Sequence, residues 1–223
     1  MVPQVTLQVP RGPGSDTIVY RRTVSSAGRD SSAGVRTVEV RRLDGALPLL
    51  EVVQRFPGGG GIIVDTALAE LRTLRAVAHS SHQPARTMRF TFEGNYANGT
   101  VATRDSVAAV HQGLGGPVFD SNIIEMVVAA LPLARGFSAE LPFYIYERGG
   151  RVPMTVRVKE RSTTAFGLGP RDAWVVAVGV PGAPATVWVD AKTRAVLRVR
   201  YELSARGLSF TDERATALRH SGS

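Results

Sequence analysis

The chain contains no cysteine in its 223 residues. Disulfide bonds, thiolate metal sites and cysteine nucleophiles are therefore excluded, and packing and polar contacts alone must hold the fold. No run of about 18 apolar residues occurs, which is the length that a transmembrane helix requires. Residues 1–16 lack the basic and apolar segments of a signal peptide. Two locations stay open: the cytoplasm, or the periplasm and cell envelope if a leader was removed.

Lysine is scarce as well. Of the 27 basic residues, all except Lys159 and Lys192 are arginines, and the formal net charge is +8. A basic chain raises the question of nucleic acid, but these arginines are scattered over the polar positions of alternating segments. We therefore do not expect nucleic acid as a partner, and we expect only weak attraction to anionic membrane surfaces or acidic proteins.

The chain is rich in alternating apolar and polar residues, most clearly between residues 141 and 203. Successive side chains of a strand point to opposite faces, so this alternation predicts strands with one apolar and one solvated face. Short turns at 148–150 and 190–193 favour an antiparallel meander. The apolar positions are Val152, Met154, Val156, Val158, Trp174, Val176, Val178, Leu197, Val199, Tyr201 and Leu203.

The first half of the chain carries the same pattern with stronger turn signals. Met88, Phe90 and Phe92 alternate along one strand, which we expect to end in a two-residue turn at Asn98 and Gly99. Residues 66–78 fit either a short helix or a strand. Further strands are predicted at 17–25, 35–43, 49–56 and from residue 62, with turns at 28–34 and 58–61 and a connector at 113–117.

One segment predicts a helix. Asn122 is suited to cap its start, and Glu125, three residues later, is placed to reach back to the free amide. Pro132 and Gly136 close the segment. The apolar residues recur at helical spacing and form one stripe, which we expect to cover the apolar face of the sheet: Ile123, Ile124, Val127, Val128 and Leu131.

Together these patterns predict a mainly β (α+β) fold. We expect a large curved antiparallel sheet of about eight to eleven strands, a half-barrel whose concave apolar face is covered by one or two helices. Residues 1–16 form a loose N-terminal segment, residues 17–211 form a single domain, and residues 212–223 form a frayed polar tail.

Two segments resemble signatures of bacterial envelope proteins of unknown function. These are FDSNIIEMVVAALPLARGF at 119–137 and ATVWVDAKTRAVLRV at 185–199. Such proteins are similar in architecture to the LolA/LppX-type lipoprotein-carrier half-barrels, and the resemblance spans roughly residues 17–205. It implies a curved sheet around an apolar cavity. In the W-V-D-x-x-T-R turn we expect Asp190 and Thr193 to satisfy turn amides while Trp188 packs on the sheet.

Several catalytic and metal-binding motifs are also suggested, each weakly. Asp65, Thr66 and Ala67 resemble the active-site turn of retroviral-type aspartic proteases, but glycine is normally required in place of Ala67. The histidines are placed in loops, and Ser80 and Ser81 lack a nucleophile elbow. Glycines 58–61 precede a strand, whereas a phosphate loop precedes a helix. A metal site would have to be drawn from His79, His82, His111, Asp65 and Glu93.

Two functions are therefore weighed first, and neither needs a cofactor. The first is a non-enzymatic envelope protein that binds a lipid, an acyl chain or another hydrophobic ligand between sheet and helix. The second is a structural scaffold with a filled core that meets an envelope protein partner. A hydrolase built on Asp65 comes third. The expected ligand-binding residues are Met88, Phe90, Phe92, Ile124, Val127, Val128, Met154, Val156, Trp174 and Val176.

Overall fold

The computed structural model describes residues 15–179, 184–203 and 207–215, so most of the expected loose N-terminus and of the expected tail lies outside the described residues. The predicted fold class is confirmed: one large curved antiparallel sheet accompanies a short helix. The strands are β1 Ser15–Ser26, β2 Arg29–Leu43, β3 Leu49–Gly58, β4 Gly61–Glu70, β5 Ala76–His82, β6 Arg86–Glu93, β7 Tyr96–Thr103, β8 Val107–Gly113, β9 Phe119–Asp120, β10 Ser138–Ile145, β11 Gly150–Phe166, β12 Gly169–Gly179, β13 Ala185–Asp190, β14 Val196–Leu203 and β15 Leu208–Arg214.

The strands form a single sheet in the order β8-β7-β6-β5-β4-β3-β2-β1-β15-β14-β13-β12-β11-β10-β9. Neighbouring strands are antiparallel except for β9 and β10, which are parallel. The described residues hold 15 strands, so the expected eight to eleven was too low. The excess comes from segments taken as turns or loops, which pair as strands because tertiary contacts cover their polar backbone.

The sheet rolls until its two halves meet at a seam. Phe119 of β9 forms an antiparallel bridge with Arg75, beside β5, and the amide of Ala76 donates to the carbonyl of Val118 at 2.9 Å. Strands β6 to β8 continue past this seam. Their inner face packs on the opposite side of β10 from Phe143, where the rings of Phe90 and Tyr144 lie 5.6 Å apart. The edge formed by β9 and β10 therefore lies on the inner side of strands β6 to β8.

The helix lies inside this roll, as the sequence predicted. A 3₁₀ turn, Ser121–Ile123, leads into α1, Ile124–Ala130. The whole expected stripe is buried among inner-face residues of the sheet. The expected cap is wrong, because Asp120 accepts the amide of Asn122 at 2.8 Å while Glu125 points to a different partner, described below.

The expected hairpin turn at Asn98 and Gly99 is also wrong. Both residues lie within β7, and the chain reverses between Glu93 and Tyr96 instead. A Cβ atom on Gly99 would lie 2.2 Å from the carbonyl oxygen of Arg89. The glycine therefore permits two backbones to approach closely, a role that has the same sequence signature as a turn.

Two more expectations are corrected in the same way. Most of the turn expected at 28–34 belongs to β2, and the loop expected at His79–His82 belongs to β5. Of the segment that fitted either a helix or a strand, residues 66–70 continue β4 as strand. At the C-terminus, β15 includes Asp212, which is fully buried, so the sheet extends into the expected tail. In each case cross-strand pairing decides the conformation, which local propensity does not encode.

A bulge changes the face of one expected apolar position. The register between β13 and β14 shifts after Trp188, so Val196 and Val199 face the helix. Leu197 packs instead with Phe166 on the outer face. An extra residue in one strand re-aims its side chains, and strict alternation does not reveal it.

Because Val128 is fully buried against the sheet, Val128→Asp should lower the free energy of unfolding by several kcal/mol. Urea denaturation measures this change. Val107→Asp is the matched control, since Val107 is 73% exposed and should change stability by less than about 0.5 kcal/mol. Equal effects at the two positions would show that the helix stripe does not face the core.

Candidate functional site

A network of buried charges joins the helix to the sheet. Arg36 on β2 is 2% exposed, yet its guanidinium contacts Glu125 of α1, donates to Asp212 of β15 at 3.2 Å, and donates to Gln54 of β3 at 3.0 Å. The amide of Gln54 also donates to the carbonyl of Asn122, at the helix entry. Every charge in this network has a partner, and that is the condition under which buried charges are tolerated.

Arg22 extends the network toward one end of the roll. Its Nε and Nη2 atoms each donate to Asp212 at 2.7 Å, and the guanidinium lies 4.5 Å from the centre of the Phe56 ring. Tyr201 donates to Glu125 at 3.4 Å. Burial, followed by the nearby Glu125 carboxylate, raises the pKa of Tyr201 well above its ordinary value, so its hydroxyl remains a donor.

The other end of the helix is held by the β13–β14 turn. The guanidinium of Arg194 donates to the carbonyl of Ala129 at 3.1 Å and also to that of Leu131. Asp190 accepts the amides of Lys192 and Thr193 at 2.9 and 2.7 Å, which confirms its expected role in the turn. The two segments that carry the resemblance are therefore in contact, because the turn arginine satisfies carbonyl groups that a helix end leaves free.

A second polar cluster lies at the seam. Nδ1 of His79 on β5 lies 3.0 Å from Asp120 of β9, and the same carboxylate accepts the hydroxyl of Tyr146 at 3.0 Å. The rings of His79 and Tyr146 stack with their centres 4.0 Å apart. Since Asp120 also caps the turn at Asn122, this cluster connects the two sheet edges with the helix entry.

Asp65, the residue of the protease-like motif, lies beside this cluster within β4. It faces Ser81 across the sheet, and its Oδ1 atom is buried without a hydrogen-bond partner in the part of the chain described. Burial raises the pKa of this carboxyl, although a hydrogen bond from Ser81 and the nearby His79 oppose the effect. Asp65 is therefore a buried carboxyl inside a strand, and the geometry does not build an active-site turn around it.

The expected ligand-binding residues fall into two groups. Ile124, Val127, Val128, Met154, Val156 and Val176 form one buried cluster around the helix, with Trp174 packed against it. Met88, Phe90 and Phe92 pack beyond the seam with Tyr144 and Tyr146. The structure thus does not bring the whole set together. A ligand between helix and sheet would have to displace side chains that already contact one another.

A different set of apolar residues lies near Arg22 on the inner face and is only half-buried. Some of these residues lie two positions along a strand from an inner-face residue of the network, and the others pair with such a residue across the sheet. Residues in either relation share a face, so these side chains line the inner wall at this end of the roll. We call this set the mouth. Its members are Val24, Phe56, Ile63, Tyr201 and Phe210.

A cleft of about 490 Å³ opens beside the mouth, at a bulge between β1 and β2. Arg21, Arg22, the carboxylate of Asp30 and hydroxyl-bearing residues such as Thr23 and Ser31 line it. Arg22 belongs to both features, since it borders the cleft and lies over Phe56 of the mouth. Its Nη1 atom makes no hydrogen bond to the residues described.

The remaining histidines do not join a metal centre. His82 is exposed on β5, and exposed His111 on β8 contacts Asn98, with 2.6 Å between Nδ1 and Oδ1. Across 15–179, 184–203 and 207–215, no group of three or more His, Asp or Glu side chains is placed to hold a metal ion. In the same ranges no helix has the length and apolarity needed to span a membrane.

With this geometry in view, comparison with known proteins identifies the family. Residues 19–210 match the family described as "Protein of unknown function (DUF3108)". The chain belongs to this family. None of the curated proteins compared matches the chain.

Solved structures are similar to this chain at low sequence identity. A β-barrel-like protein of the DUF1849 family from Brucella abortus is 9% identical, with a TM-score of 0.54 over 94% of this chain and 97% of that one. A DUF1329 family protein from Desulfovibrio piger is 8% identical, with a TM-score of 0.34 over 94% and 87%. A putative exported protein with a YmcC-like fold from Bacteroides fragilis is 10% identical, with a TM-score of 0.32 over 94% and 97%. The first of these supports a barrel-like fold for the DUF3108 chain.

The buried carboxyl of Asp65, whose Oδ1 atom has no hydrogen-bond partner among the described residues, generates a pH-dependent prediction. Its pKa is raised in the folded protein, so its protonated form favours folding below the ordinary value of 3.8, and that contribution is lost as pH rises through the raised pKa. Asp65→Asn should therefore raise the Tm at pH 7, and the gain should shrink as pH falls toward 4. Thermal unfolding from pH 4 to 8 measures it.

Asp190→Asn is the control of opposite sign. Burial would raise the pKa of Asp190, but the amides of Thr193 and Lys192 outweigh it and lower the pKa. This carboxylate stabilises the fold at neutral pH, and the benefit is lost as pH falls through the lowered pKa. Asp190→Asn should thus lower the Tm at pH 7 and have less effect in acid. A loss of stability in Asp65→Asn at pH 7 would contradict the assignment of Asp65.

Proposed function

We propose that this DUF3108 protein is a non-enzymatic binding protein of the cell envelope whose ligand is an anionic amphiphile. The observation that carries the proposal is the mouth, where inner-face apolar side chains are only half-buried next to a cleft that two arginines, one aspartate and several hydroxyl groups line. The resemblance of segments 119–137 and 185–199 to envelope proteins with lipoprotein-carrier-like architecture supports the same class of function and the same location.

The apolar part of the ligand would lie along the mouth, against Phe56, Ile63 and Phe210. Its driving force is burial of apolar surface, at about 25 cal/mol per Å². A single acyl chain can reach micromolar affinity on this basis even after the cost of immobilising it. The helix stays in place in this arrangement, which differs from a site between helix and sheet.

The head group would meet the cleft. Arg21 is exposed and makes no ion pair with the residues described, and Arg22 offers its free Nη1. Two guanidinium groups and several hydroxyl donors outnumber the one carboxylate of the cleft, Asp30, and suit a carboxylate or phosphate. Charge attraction between these arginines and the ligand is also consistent with the basic balance of the whole chain.

A second candidate is a structural scaffold. It is favoured by the filled core, where Val127 and Val128 are fully buried against the sheet and leave the helix without a free face. In a scaffold the mouth would meet an envelope protein instead of an amphiphile. Direct binding measurements separate the two.

The test is fluorescence titration with 11-dansylamino-undecanoic acid. The wild type should bind it with micromolar affinity, and Ile63→Glu should weaken binding at least tenfold because a charge then lines the mouth. Ile62→Glu is the matched control, since the neighbouring Ile62 is exposed on the outer face and its replacement should leave affinity unchanged. Val24→Glu repeats the test if Ile63→Glu proves unstable.

Head-group recognition is tested with the same probe in competition. Dodecanoate and dodecyl phosphate should displace it better than dodecanol, and Arg21→Gln should remove that preference without changing competition by dodecanol. If the wild type binds no probe, the amphiphile proposal fails and the scaffold remains.

A further inference from the structure

The cleft beside the mouth carries charges of both signs. Arg21, Arg22 and the carboxylate of Asp30 all line it. The charge of Arg22 is already matched, because its guanidinium donates two hydrogen bonds of 2.7 Å to Asp212. Arg21 and Asp30 are both exposed, and neither makes an ion pair with the residues described. The charges of the cleft that lack a partner in this part of the chain are therefore one cation and one anion.

The hairpin of β1 and β2 places these two charges at opposite ends of a polar strip. Residues two apart on a strand share a face, and so do residues that pair across two strands. Arg21, Thr23 and Ser25 follow one another in this way on β1, while Ser32 pairs with Thr23 and Asp30 pairs with Ser25. About 14 Å of strand separates the two ends of the strip. A guanidinium, two hydroxyl groups and a carboxylate thus lie in a row.

The carboxylate at the end of the strip is held in place by its neighbour. The hydroxyl of Ser25 donates to Oδ1 of Asp30, whereas Oδ2 makes no hydrogen bond to the residues described. A head group that carries only an anion would bring its charge toward this carboxylate and gain nothing from it. A head group that also carries a cation would convert the same carboxylate into a contact.

We propose that the head group of the ligand is zwitterionic, a phosphate whose ester carries a primary ammonium. The inference rests on the proposed function and names the head group of the same amphiphile. The phosphate contacts Arg21 beside Arg22, and the ammonium contacts Asp30, so each charge of the strip meets its opposite. The cleft of about 490 Å³ lies within the usual range of ligand pockets, which is roughly 300 to 1,000 Å³.

The lining of the cleft favours a primary ammonium over a quaternary one. Quaternary ammonium groups are typically recognised by a cage of aromatic rings, and none of the described residues that line this cleft is aromatic. A primary ammonium has three N–H donors. The carboxylate of Asp30 and the hydroxyl oxygens of Ser31 and Ser32 are acceptors for such donors.

The test is competition against 11-dansylamino-undecanoic acid by three phosphate esters that share a dodecyl tail and one negative charge. These are dodecyl 2-aminoethyl phosphate, dodecyl methyl phosphate and dodecylphosphocholine, each below its critical micelle concentration. With the wild type, the aminoethyl ester should displace the probe at about three- to fivefold lower concentration than the other two, the size expected of an exposed ion pair.

Asp30→Asn should remove this difference, because it removes the charge but keeps an oxygen that accepts the Ser25 hydroxyl. Competition by the methyl ester should not weaken. Asp105→Asn is the matched control, since Asp105 is exposed, lies outside the cleft lining and should leave the difference intact. Arg21→Gln should weaken all three esters equally, because the phosphate contact is common to them.

Equal competition by the aminoethyl and methyl esters in the wild type, or a difference that persists in Asp30→Asn, would overturn the zwitterionic head group while amphiphile binding stands. A wild type from which no ester displaces the probe would instead overturn the proposed function. Phosphoethanolamine without a tail should compete only weakly. If it matched the dodecyl ester, the ligand would be a small soluble phosphate and the amphiphile would be overturned.

Discussion

The buried Arg36–Glu125 contact is the constraint on which the interior depends. A charge this deep is tolerated only while its partners stay in place, and removing one partner of such a pair typically costs about 3–5 kcal/mol. Arg36 belongs to the sheet and Glu125 to the helix, so the contact fixes where the helix sits along the roll. Packing of the apolar stripe then fills the remaining space, while Arg194 fixes the opposite end of the helix.

The position of the helix divides the interior into regions with different properties. Around the helix the side chains are fully packed, and beyond the seam an aromatic cluster joins the two overlapping edges. The wall on the Arg22 side carries the partly exposed apolar residues of the mouth. The charged network that holds the helix thus lies next to the mouth. Arg22 is the member of the network that borders the cleft and lies over Phe56 of the mouth.

Periodic patterns in the sequence predict the strands and the helix stripe. Features that depend on one contact between distant residues are not predicted. Alternation indicates the strands, and helical spacing identifies the buried stripe from Ile123 to Leu131. The arginines were expected, as a group, at the polar positions of strands, whereas Arg36 is buried and period two places it on the same side as Val38 and Val40. Its partner Asp212 lies 176 residues away in the sequence, and no local pattern joins them. The turn predicted at Gly99 was wrong for a related reason, because glycine is favoured both in a turn and where two backbones approach closely.

The account holds that the helix is a fixed plug and that ligands meet the mouth. Native-state hydrogen exchange on the amides of residues 127–130 tests this most directly, since local opening and global unfolding give different protection. We expect these amides to exchange only through global unfolding, with the same protection before and after saturation with dodecanoate. Exchange at a much lower free energy, or a loss of protection when dodecanoate binds, would show that the helix leaves the sheet and would contradict the account.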